Sequence, residues 1–265
     1  MSALIPASEL PAAVGIFVVS IGVAAVYVFV GLRLYRRPVT PGAQLASAQL
    51  SLWWAGLGVT TALGGLEVGL AAAGALSFAA ALTCYMVLVL IDCAFLWGLV
   101  GFLLYVYTGK YHLLALSAFY AWFYVTVVYY FFSQQPTAVT ITGGQMVFVY
   151  LVQPTPVLEG VLVLGLLGPE IVGALLYLSL LRRTDDSAQR YRITLVGGGI
   201  LLWFLLDLLV PSSTADWTIV RGVVQVIPGL MSLIAYYPPE WARRRYGVTV
   251  VGGDESLSPR PARGP

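Results

Sequence analysis

The run from Ala79 to Tyr107 constrains this chain more than any other stretch. It is almost wholly apolar, and one acidic side chain, Asp92, sits near its middle. An α-helix rises ~1.5 Å per residue, and ~20 apolar residues cross the ~30 Å hydrocarbon core of a bilayer. The run is long enough to span a membrane with tilt. A carboxylate at that depth is costly in lipid, so the helical face of Asp92, which also carries Leu88 and Tyr85, is expected to point into a bundle. The sequence predicts a buried axis with a polar spot at mid-membrane and other spans gathered round it.

The remaining sequence supplies those spans. Of 265 residues, 59% are hydrophobic and 10% charged, and the mean hydropathy is +0.87, values of a polytopic membrane protein. Apolar stretches predict spans at about Val14–Leu32, Leu50–Ala73, Ala79–Tyr107, Leu113–Phe132, Val157–Leu181, Ile193–Val210 and Ile219–Tyr237. Basic residues follow alternate spans: Arg33, Arg36 and Arg37, then Lys110, then Arg182, Arg183, Arg190 and Arg192, then Arg243, Arg244 and Arg245. With Arg260 and Arg263, 13 of the 14 lie on one side, which the positive-inside rule makes cytoplasmic. The expected fold is an all-α seven-transmembrane-helix bundle in the cell membrane, N-terminus out and C-terminus in. Without Lys or Arg in its first residues, the N-terminus is not expected to be a cleaved signal peptide.

Two segments lie outside the spans. Thr137–Pro156 has β-branched residues on both sides of Gly143-Gly144 and predicts a small extracellular β-hairpin between helices 4 and 5, either an ordinary loop or a lid. Residues 238–247 predict an interfacial turn with Trp241 at the headgroups. The bundle is expected to occupy residues 1–247, followed by a disordered Gly/Pro/Ser-rich cytoplasmic tail at 248–265.

The candidate site comes from polar residues inside spans. Glu67, Asp92, Glu170, Asp207 and Arg221 all fall at the midplane or in the outer half. Asp207 and Arg221, at similar depth on consecutive helices, are expected to pair. The other acids are either neutralised by desolvation, hydrogen-bonded to tyrosines, or facing a wet cavity. Pro169 and Pro228 are expected to kink their helices, and the glycines of WWAGLGVTTALGG and VGGGI to let helices approach closely. Tyr85, Tyr120, Tyr124 and Trp203 complete a candidate ligand-binding set: core packing by default, or a cage for a cation or a flat apolar ligand.

Cysteines Cys84 and Cys93 lie nine residues apart on one predicted helix, too far to bridge, and a lone His112 offers no metal cluster. Seven helices with the N-terminus out invite comparison with microbial rhodopsins. Predicted span seven has no lysine, so no retinal Schiff base can form there, and no cofactor is expected. The turn RRTDDSAQRYRITLVGGGILLWF resembles that of the seven-helix input modules of bacterial and archaeal sensor proteins. This resemblance implies sensing, with the signal passed to a separate cytoplasmic partner at the basic inner face. Three readings follow: a receptor-like or regulatory protein taking a small ligand from outside, a proton- or cation-coupled transporter or channel, and an enzyme acting on a lipid or polyene. The expected surroundings are lipid bilayer, with no nucleic acid.

Overall fold

The computed structural model describes residues 5, 9–37, 39, 41–142, 145–152, 157, 160, 165, 168–209 and 214–248. The chain is mostly helical: α1 (Leu10–Tyr35), a short 3-10 turn (Pro41–Ala43), α2 (Gln44–Ala72), α3 (Phe78–Thr108) and α4 (Leu113–Ser133). Strands β1 (Pro136–Thr142) and β2 (Gln145–Tyr150) follow, then α5 (Gly168–Ser179), α6 (Ser187–Leu209), α7 (Ala215–Tyr236) and α8 (Glu240–Tyr246). Among the described residues, five helices, α1 to α4 and α7, are long and apolar enough to cross a membrane. Their outward faces carry exposed Val18, Leu90, Val125 and Val223, an apolar surface that water would not tolerate. The chain is therefore a multi-pass membrane protein.

Local chemistry sets the helix ends. Ser77 caps α3, its Oγ accepting from the Ala80 amide at 3.1 Å, and Gly109 ends it with φ +71°, a backbone open to glycine. Thr214 caps α7, accepting from Trp217 N. The segment expected to be an interfacial turn is instead the short helix α8. Pro239 precedes it, Glu240 lies in its first turn, three arginines lie in its last, and Gly247 closes it in the left-handed region. Ser187 Oγ donates to Tyr246 O at 3.0 Å, fastening α8 to α6, and Trp241 is exposed as anticipated.

Packing gives a closed ring in which α1 touches α2 and α7, α2 touches α3, α3 touches α5, α5 touches α6, and α6 touches α7. Helix α4 lies outside the ring against α3. Helix α3 is thus one stave of the ring and not its axis, and Val87 and Leu90 on its far face are exposed. Close helix approaches occur where glycines were expected to allow them. A Cβ at Gly58 would stand 2.9 Å from Ala24 O, and one at Gly56 would stand 2.4 Å from Phe95 Cβ. Helix α7 runs through Pro228 without interruption. The kink expected at Pro169 falls where most of the preceding residues lie outside those described.

The expected hairpin is present. Its register pairs Val139 with Phe148 and Thr142 with Gln145, leaving Gly143-Gly144 between the strands. Alternation decides its faces: Val139, Ile141 and Phe148 are buried, while Val147 and Val149 are exposed. Of the disordered tail expected at 248–265, Val248 is instead buried, and residues 249–265 lie outside those described.

Candidate functional site

A cavity of about 510 Å3 lies inside the ring, at the end that carries the hairpin. Helix α3 presents one face to it, Tyr85, Leu88, Asp92 and Leu96, at the three-and-four spacing of a helix. Helix α2 adds Leu57, Thr60, Thr61, Gly64 and Glu67, and α1 adds Ser20 and Val23. Glu170 comes from α5, Trp203 from α6, and Thr218, Arg221 and Gln225 from α7. Gln145 and Met146, the first residues of β2, reach the cavity from above. The hairpin therefore forms part of the wall.

Six of the nine residues singled out from sequence meet in this one cavity: Glu67, Tyr85, Asp92, Glu170, Trp203 and Arg221. Tyr120 and Tyr124 are not in its lining. Tyr120 is buried within electrostatic reach of Glu170 and Cys93, and Tyr124 packs partly buried against the core. Elsewhere on α4, Trp122 and Tyr129 are exposed on the outer side, as suits a helix outside the ring. The backbone of Asp207 belongs to α6, but its side chain lies outside those described, as does its expected pair with Arg221.

Glu67 is 3% exposed, and the Cys84 thiol stands within hydrogen-bonding reach of its carboxyl. Its Oε1 has no hydrogen-bond partner among the described residues. Thr60 and Thr61 satisfy their own hydroxyls on Gly56 and Leu57 carbonyls of the preceding turn, leaving oxygen lone pairs towards the cavity. Tyr85 stacks on Phe131 at 4.4 Å and meets Phe148 edge-on at 5.4 Å, which ties the cavity wall to the underside of the hairpin. Among the described residues the lining holds three carboxyl groups and one guanidinium beside the aromatic Tyr85, Phe95 and Trp203.

The opposite end of the cavity is closed. One turn beyond Leu57, Trp53 and Trp54 are fully buried with ring centroids 4.2 Å apart. Tyr27 packs on Trp54 at 5.2 Å, and Trp203 meets Trp53 at 6.3 Å. Below that layer Leu50, Leu99, Phe102 and Leu34 are all fully buried.

Thr60, Thr61, Ser20 and Gln225 were not legible as lining, whereas a hairpin over the cavity was one of the two readings of its sequence. Only the spacing of Thr60 and Glu67, two turns apart on α2, carries a sequence signal for any of them.

Fold and cavity together define a helical membrane protein with an acidic, aromatic pocket under a β-hairpin. No protein-family model, curated protein or solved structure matches this chain.

Proposed function

We propose that this is a receptor-like or regulatory protein of the cell membrane, with seven spans, the N-terminus and hairpin outside, and the basic loops in the cytoplasm. It takes a small ligand into the hairpin-end cavity and passes the signal to a separate partner at the basic face. The resemblance of the α5–α6 turn to sensor input modules agrees with that role. Seven spans are supported by the alternation of basic and non-basic connections, with α5 and α6 as the two spans flanking the arginine-rich turn.

One observation carries the choice of a receptor over a transporter: among the described residues, the cavity is acidic and lined with polar groups at one end and closed at the other by the buried rings of Tyr27, Trp53 and Trp54. A transporter needs a second arrangement in which that layer parts. A receptor needs only a change in helix packing. The acid excess and the aromatic rings favour an organic cation, held by charge and by ring faces. The second reading, a cation- or proton-coupled transporter using Asp92 and Glu170, rests on their place in the same cavity.

Thermal unfolding of the purified chain with choline and with its uncharged isostere 3,3-dimethylbutanol tests the ligand class. Stabilisation by choline alone is the expected result, and equal responses would remove the cation. Asp92→Asn is expected to fold normally and to lose affinity for the cation. Proteoliposomes then decide between the two readings. Proton- or sodium-driven uptake of choline in the wild type, lost in Asp92→Asn, would overturn the receptor reading.

A further inference from the structure

At the basic end, the structure does something with charge that the sequence does not announce. Arg37 reads as part of a solvated basic loop, yet it is 4% exposed. Its Nε donates to Ser47 Oγ at 3.0 Å, and its guanidinium carbon stands 3.9 Å from the centre of the Tyr236 ring. Nη1 and Nη2 are buried with no hydrogen-bond partner, and Arg37 has no ion-pair partner among the described residues. A guanidinium carries donors on all three nitrogens, so most of its N–H bonds go unanswered here.

The groups beside it are unanswered too. The Tyr236 hydroxyl and Ser232 Oγ, one turn apart on α7, are buried without partners among the described residues. Fully buried Tyr177 stands within electrostatic reach of Tyr236 and Arg37. A ring face over Arg37 offsets only part of what burying a charge without a counter-ion costs.

The place is held firmly. Tyr105 and Tyr111 both donate to Gly42 O, at 2.8 and 2.7 Å, which pins the α1–α2 connection against the end of α3. A cavity of about 520 Å3 lies along that connection, lined by Arg37, Gln44 and Ser47 together with the apolar Tyr35, Val39 and Leu45. Its volume is within the ~300–1,000 Å3 of small-ligand pockets.

We propose that this end of the bundle holds a second binding site, in which Arg37, turned from the Tyr236 ring towards the adjoining cavity, takes a phosphate group. Ser47 and Gln44 complete the polar wall. The phosphate belongs either to the headgroup of an anionic lipid, whose chains lie along Tyr35 and Leu45, or to a free anion. This site is independent of the ligand read for the hairpin-end cavity.

The test uses the full chain in a neutral detergent, stripped of lipid, with thermal unfolding and native mass spectrometry as readouts. The probes are dioctanoylphosphatidylglycerol, uncharged dioctanoylglycerol and inorganic phosphate. Stabilisation and a bound mass with phosphatidylglycerol but not with dioctanoylglycerol or phosphate assign a lipid site; the same response to phosphate alone assigns a free-anion site. Hydrogen bonds to charged groups are worth about 1.5–3 kcal/mol, so Arg37→Gln should weaken binding about 10- to 100-fold. If that variant does not fold, Gln44→Ala and Ser47→Ala should each weaken it several-fold. No response of the wild type to either anionic probe, or unchanged affinity in every folded variant, overturns the site.

Discussion

The hydroxyl of Tyr27 on α1 donates to the backbone carbonyl of Gln225 on α7, at 2.5 Å. Gln225 lies three residues before Pro228, where the proline has no N–H for the helix ladder and its ring crowds the preceding turn. The carbonyl that Pro228 leaves without a helix donor is that of Val224, and the Tyr27 bond ties α1 to the residue beside that break. The bond also closes the helix ring, because α1 and α7 are its first and last members.

Tyr27→Phe keeps the ring that packs on Trp54 and removes only this bond. It is expected to lower stability by about 1 kcal/mol, the net worth of a typical hydrogen bond. Denaturant unfolding in detergent micelles measures it, and an unchanged midpoint would mean the Gln225 carbonyl needs no such partner.

Gly56 and Gly64 lie two turns apart on α2 in opposite situations. A Cβ at Gly56 meets Phe95 Cβ at 2.4 Å, so Gly56→Ala should force α2 and α3 apart at a cost of about 1–3 kcal/mol. At Gly64 nothing lies within 4 Å, and the residue lines the cavity. Gly64→Leu should fold with little loss and fill the cavity, abolishing choline-induced stabilisation. A Gly64→Leu protein that still binds choline would place the ligand elsewhere.

Phe148 is the anchor of the hairpin, buried against Tyr85, Phe131 and Phe78. Phe148→Ala typically removes about 3–5 kcal/mol of buried contact. Hydrogen exchange should then quicken at the β1 and β2 amides while those of α1 and α2 stay protected. Equal quickening throughout would show that hairpin and bundle open as one unit.

Orientation is checked by labelling. In a Cys84→Ser, Cys93→Ser background, an impermeant maleimide added to intact cells should reach Thr137→Cys in β1 and not Arg190→Cys at the start of α6. The reverse pattern would invert the topology.

The sequence by itself determined that this chain is a bundle of membrane helices with a hairpin between the fourth and fifth. Both follow from local rules: apolar runs of spanning length, and period-two alternation about Gly143-Gly144. It also pointed to Glu67, Asp92, Glu170 and Arg221 as residues that meet, because charge is too costly in lipid to face outward and must gather inside. Which helices form the ring was decided only in three dimensions. The hydropathy of α4 is like that of its neighbours, yet close packing at Gly56, Gly58 and Gly98 draws α1, α2 and α3 together and leaves α4 outside, taking Trp122 and Tyr129 to the outer face. The aromatic floor likewise depends on Tyr27, Trp53, Trp54 and Trp203 arriving from three helices at one depth. Burial of Arg37 shows the limit of reading charge from sequence. An arginine after an apolar run is ordinarily solvated, and only the fold of the α1–α2 connection under Tyr105 and Tyr111 places this one beneath Tyr236, with no ion-pair partner among the described residues.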